Sequence, residues 1–144
     1  MKKILYGLCI LLSTASFAAS PTVDEKVSTR FNQTFPNAVN VKWYEYATFY
    51  EVVFLNNGIS CMLKYDLQGN VLSLRRDYYE KDLPLFIKAK LKLNYEKKRI
   101  FGITEITTDD AISYTIILED EKHWITVKSN ENGSMSIVQK LKKT

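Results

Sequence analysis

Residues 50–65 read YEVVFLNNGISCMLKY, and two features of this stretch decide the fold. Asn57 and Gly58 both tolerate positive φ, which a tight hairpin turn between twisted strands requires. On either side the apolar residues recur at every second position: Tyr50, Val52 and Phe54 before the turn, then Ile59, Cys61, Leu63 and Tyr65 after it. A period of two puts each set on one face of a pleated strand, so the stretch predicts an antiparallel hairpin with one apolar side. Downstream, a turn at 66–69 leads into a further strand at 71–78. Upstream, Val39, Val41 and Trp43 alternate with Asn40, Lys42 and Tyr44, which predicts a strand carrying the first three on one side.

Ahead of these strands the period changes to four. Val23, Val27, Phe31 and Phe35 form one helical stripe, with Asp24, Lys26, Arg30 and Gln33 off it. Thr22 followed by Glu25 fits a capping box at the helix start, and Pro36 ends the run. The same order then repeats. Leu83, Ile87, Leu91 and Tyr95 form a second stripe with Pro84 near its start, and strands are expected at 100–107, 112–118, 123–128 and 135–141. An ungapped offset of about 64 residues relates the halves, pairing Val27 with Leu91, Tyr50 with Tyr114, Phe54 with Leu118 and Gly69 with Gly133. The expectation is an α+β fold: two tandem helix-plus-four-strand repeats, at about 22–79 and 83–141, forming a largely antiparallel eight-stranded sheet. Both helices lie on one face of that sheet, which leaves the other face uncovered.

The first residues are of another kind. Lys2 and Lys3 precede an apolar run at 4–12 and a small-residue stretch at 13–20, the order of a cleavable export signal. Ser16 and Ala18 suit the positions before a cut after Ala18, so the reading divides the chain into a signal at 1–18 and a domain at 19–144. The apolar run is shorter than the roughly 20 residues that span a bilayer, and no stable membrane insertion is expected after cleavage. Cys9 lacks the small residue that precedes a lipidated cysteine. Losing two lysines lowers the formal charge of +4 by two, too mild a surplus to point to nucleic acid. Cys61 alone remains of the two cysteines, so no internal disulfide is possible, and a chain that is 46% hydrophobic must fold by burial.

Phe31-x-x-x-Phe35-Pro36-x-Ala38-x-x-Val41-x-Trp43, then Tyr50-x-Val52-x-Phe54, Tyr65-Asp66-x-x-Gly69 and Leu83-Pro84 resemble the PepSY-like family of exported, β-lactamase-inhibitor-like proteins. The resemblance covers nearly all of the chain after the signal. It implies tandem repeats of a helix and four strands, a periplasmic location with extracellular release as the alternative, and no established activity. The second half departs from the pattern, having no proline after Tyr95 and no tryptophan at the place of Trp43.

Chemistry finds little to work with. His123 is the only histidine, and a hydrolase built on it would have to recruit Glu119, Asp109 or Asp110; a histidine at a turn edge is the plainer reading. Cys61 alternates with Ile59 and Leu63, which predicts a buried thiol of raised pKa rather than a nucleophile. Asp66-x-x-Gly69-Asn70 and Asn130-x-Asn132-Gly133 distantly resemble calcium loops but lack the alternating acids, and hairpin turns explain them. With five glycines and no phosphate loop, neither a metal nor another cofactor is expected. The lysine-rich run Lys88, Lys90, Lys92, Lys97, Lys98 and Arg99 reads as a solvated helix face. What remains are the aromatics Trp43, Tyr44, Tyr46, Phe49 and Tyr50, which alternation distributes over both faces of the sheet. They are either ordinary strand formers or contacts for a protein or peptide in the periplasm. The expectation is a non-enzymatic binding module, inhibitor-like in form, with a carrier of small apolar ligands as the alternative should the sheet curl around a pocket.

Overall fold

A computed structural model describes residues 23–144. The export signal, its cut after Ala18, Cys9 and Thr22 lie outside the described residues. Helix α1 (Glu25–Thr34) is followed by β1 (Ala38–Glu45), β2 (Phe49–Asn56), β3 (Ile59–Asp66) and β4 (Val71–Tyr78). After one 3₁₀ turn at Glu80–Asp82, α2 (Leu85–Asn94) precedes β5 (Arg99–Thr107), β6 (Ile112–Glu119), β7 (His123–Asn130) and β8 (Met135–Lys142). The strands form one sheet in the order β1 to β8, every neighbour antiparallel. The expected α+β architecture is borne out.

Directly paired residues of neighbouring strands share a face, so the register settles which side is which. Cys61, Arg76, Glu105, Tyr114 and Ser129 form one continuous row from β3 to β7. On that side Val27 and Phe31 of α1 pack over Tyr50, Val52, Phe54, Cys61, Leu63 and Tyr65. Ile87 and Leu91 of α2 pack there over Tyr78, Ile103, Tyr114, Ile116, Leu118, Ile125 and Val127. Both helices therefore cover the same face. Fully burying each such side chain stabilises the fold by about 1.5–3 kcal/mol, which a domain without a disulfide needs.

Three local expectations are corrected. Helix α1 has its N-cap at Asp24, two residues later than expected, and the Asp24 carboxylate accepts the Lys26 amide at 2.7 Å. In β1 a bulge follows Val39, with Asn40 at φ 57°, so that Val39 faces Leu55 while Trp43 faces Val52. An extra residue inverts the alternation, and Val39 and Trp43 consequently stand on opposite sides. The offset between the halves also changes along the chain. It is 64 from β2 and β6 onward, where Tyr50 matches Tyr114 and Cys61 matches Ile125. In the helices it is 60, because the buried pair Val27 and Phe31 matches Ile87 and Leu91. The β5–β6 hairpin carries the difference: Glu105 pairs with Tyr114 as Glu45 pairs with Tyr50, but two further pairs extend the longer hairpin to Thr107. A stripe of period four looks the same after a slip of four, which hides the gap in the sequence.

The halves join at β4 and β5. There Glu105, only 2% exposed, takes a hydrogen bond from Arg76 Nη2 at 2.5 Å and another from the Tyr78 hydroxyl at 2.6 Å. Burying a carboxylate is costly unless its oxygens are occupied in this way. Burial first, and then the bond to Glu105, push the Tyr78 phenol far above its ordinary pKa.

Candidate functional site on the uncovered sheet face

The side of the sheet away from the helices carries Tyr44 and Lys42 of β1, Phe49, Glu51 and Val53 of β2, and Met62 and Lys64 of β3. It continues through Arg75, Asp77, Thr104, Ile106 and Thr115 to Trp124 and Leu141. Among the described residues no helix lies over it.

The five aromatics singled out from the sequence divide between the two sides. Tyr50 is buried under α1, and Trp43 packs edge-on against Phe31 with ring centroids 5.4 Å apart and stacks on Tyr65. Tyr44, Tyr46 and Phe49 stand together instead at the β1–β2 end. Tyr44 lies opposite Glu51 and is 44% exposed. The rings of Tyr46 and Phe49 stack at 4.4 Å across the turn, where the Tyr46 amide donates to the Phe49 carbonyl. Lys64 reaches over the Phe49 ring at 4.9 Å and lies 3.5 Å from the nearly buried Glu51 carboxylate. The lysine thus holds the ring in place by a cation–π contact while its charge is answered by Glu51.

A second aromatic corner, which the sequence reading missed, occupies the far end of the same face. Phe101 and Trp124 meet edge to face at 4.8 Å. Lys143 lies 4.5 Å above the Trp124 ring and 2.7 Å from Glu119, which also binds Arg99. Leu141, half exposed, sits opposite Trp124. Two signals pointed here: Trp124 alternates with the core residues Ile125 and Val127, and Phe101 next to Gly102 marks a bulge that turns an extra side chain outward. Between the corners the surface is mixed, with Ile106 exposed beside Arg75. Arg75 makes a two-pronged contact with Asp77, which accepts from the Thr104 hydroxyl at 2.6 Å, beside a hollow of about 500 Å³.

The other candidates take structural positions. His123 Nδ1 lies 3.2 Å from Asp120, whose carboxylate also accepts from Lys98 and from the amides of Lys122 and His123. The Lys98 hydrogen bond above all holds that carboxyl well below the usual range. Asp109 and Asp110 lie at the opposite end of β6, roughly 23 Å from His123 at about 3.3 Å per residue. Cys61 is buried, and burial pushes its thiol up as expected. The Asp66 carboxylate is filled by the amides of Gln68 and Asn70 and by the Asn70 side chain, and Asn130 accepts from the Ser134 amide, so both loops are turns. Among the described residues no three His, Cys, Asp or Glu side chains converge as metal ligands would. Leu85 and Leu93, each more than four-fifths exposed, stand among Lys88, Lys90 and Lys92 on the solvated side of α2.

No protein-family model matches the chain, and no curated protein matches it. Among solved structures it is similar in fold to a DUF2874 family protein from Bacteroides ovatus, with a TM-score of 0.61 at 14% identity over 85% of this chain and 89% of that one. A BLIP-like protein from Bacteroides fragilis gives 0.60 at 14% identity, over 84% of this chain and 86% of that one. A Bacteroides eggerthii protein provisionally described as periplasmic gives 0.60 at 10% identity, over 85% and 90%. At such identities the likeness is one of fold. Among the described residues no helix is long and apolar enough to cross a membrane.

Proposed function

We propose that this chain is an exported binding module without turnover, PepSY-like and inhibitor-like in form, which docks a periplasmic protein or peptide on its uncovered sheet face. The observation that carries this reading is the pair of aromatic corners on that face, Tyr44, Tyr46 and Phe49 at one end and Phe101 and Trp124 at the other. Each is braced by a lysine and a carboxylate. Braced rings lose little entropy on binding and supply large contact area, the property that makes Tyr and Trp frequent anchors of interfaces. Tyr50 in the core and Trp43 packed at its edge lie on the helix side and do not belong to the uncovered face. The fold shared with a BLIP-like protein supports the reading, as does the sequence resemblance to PepSY-like proteins. The duplicated plan supports a domain of two repeats following the signal at 1–18. A carrier of apolar ligands is less well supported, since the sheet is open and β1 does not pair with β8.

Crosslinking capture from periplasmic extract tests the proposal. Tyr44→Ala with Phe49→Ala, and separately Phe101→Ala with Trp124→Ala, should each lower recovery of a captured partner about tenfold or more. Full recovery by both double variants, with unfolding midpoints unchanged, would remove the sheet face from the interaction.

A further inference from the structure

The joint between β4 and β5 has counterparts at the two outer strands. By the correspondence of the halves, β8 stands where β4 does and β1 where β5 does. In the joint, Arg76 faces Glu105, Asp77 faces Thr104 and Tyr78 faces Ile103. The matching residues of the outer strands are Lys140 and Glu45, Leu141 and Tyr44, and Lys142 and Trp43. All three pairs are complementary. The first keeps the charge sense of Arg76 with Glu105. The second replaces a polar contact by two half-exposed apolar side chains, Leu141 at 51% and Tyr44 at 44%. The third sets an ammonium beside an indole. Among the described residues β1 and β8 are each paired on one side only, so their outer amides and carbonyls are available to another strand.

We propose that β8 of one molecule pairs antiparallel with β1 of a second copy, with Lys140 opposite Glu45, repeating between molecules the joint that β4 and β5 make within one. Charge selects this pairing over that of two β8 strands, which would bring Lys140, Lys142 and Lys143 of both copies into one short ladder, where like charges oppose. The contact is head to tail. Each added copy leaves one β1 and one β8 free, so the assembly grows as a chain or closes as a ring rather than stopping at a two-fold dimer. No helix connection crosses it, in contrast to the segment that links β4 to β5, and association is correspondingly weak. This inference concerns the edges of the sheet and shares only Tyr44 and Leu141 with the face reading. Glu45 and Lys140 belong to the rows on the helix-bearing side, so changing them leaves the uncovered face intact.

Sedimentation velocity on the protein recovered from the periplasm, at concentrations up to about 1 mM, provides the test. The average mass should rise past that of a dimer as concentration increases. Glu45→Lys or Lys140→Glu alone should lower the association constant about tenfold, and the two together should restore it to within about threefold. A protein monomeric at the highest concentration, a mass that stops at two copies, or a charge swap that fails to restore association would overturn the proposal. Urea midpoints of the three variants show whether each remains folded. Were the Tyr44 and Phe49 variant to lose partner capture while the charge swap still rescued association, face and edge would be separated.

Discussion

The two halves of this molecule fill matching places with different chemistry. Beneath α1 the core is rich in rings: Phe31 lies 4.9 Å from Phe54 and 5.6 Å from Phe35, with Trp43 at its edge. Beneath α2 the same places hold Leu91, Leu118, Tyr95 and Ile103, and the layer is largely aliphatic. Both fill the space between one helix and four strands, because burial responds to apolar volume at the right period rather than to the identity of the side chain. What the difference changes is how much a single residue carries. A ring that touches three others concentrates contact energy, whereas branched aliphatic side chains spread it.

The largest expected effect tests that contrast. Phe31→Ala should cost about 4 kcal/mol and Leu91→Ala about 3 kcal/mol in urea unfolding, since both leave cavities but only the first breaks a cluster of rings. A larger loss at Leu91 would break the comparison. Next comes the pair Glu105 and Glu45, equivalent in position but not in surroundings: β4 covers the first, whereas the second lies exposed on an outer strand. Glu105→Ala should cost about 3 kcal/mol, because it strands the Arg76 charge and the Tyr78 hydroxyl. Glu45→Ala should stay within about 0.5 kcal/mol in dilute solution. Equal small losses would mean that the joint gains nothing from the bonds that Arg76 and Tyr78 make to the buried Glu105.

The smallest effect concerns the matching turns at Asp66 and Asn130. Hydrogen bonds, that of the Asn70 side chain foremost, hold the Asp66 carboxyl below its ordinary pKa, whereas Asn130 does not titrate. The folded pKa lies below the unfolded one, so the stability from Asp66 is present at neutral pH, declines below about pH 4, and is lost as pH falls through the folded value. Asp66→Asn should therefore reduce the stability lost between pH 7 and pH 2, measured by urea melts at both. Asp120, shifted in the same direction, keeps its own acid dependence in that variant. An unchanged loss would show that the Asp66 turn contributes no acid sensitivity.

Much of the fold was legible because its signals are local. Asn57 and Gly58, at φ 51° and 80°, make the turn that their types demanded, and the strands fall within two residues of the spans expected. The aromatic site was legible only in part. Alternation said that the five rings must divide between two faces, but a bulge at Asn40 and the docking of α1 decided that Trp43 and Tyr50 go inward. Phe101 and Trp124 are 23 residues apart on two strands that do not pair with each other, and their meeting depends on how far β5, β6 and β7 are staggered.

By itself the sequence determined the element order, the hairpin positions, the apolar side of β2 and β3 and the one-sided placement of the helices, since each follows from periodicity and turn chemistry along the chain. The tertiary structure alone decided the slip of one helical turn between the halves, the burial of Glu105 and the exposure of Glu45. Those outcomes depend on which strand lies alongside, and strand neighbours are set by register across the whole sheet, which no short window of sequence contains.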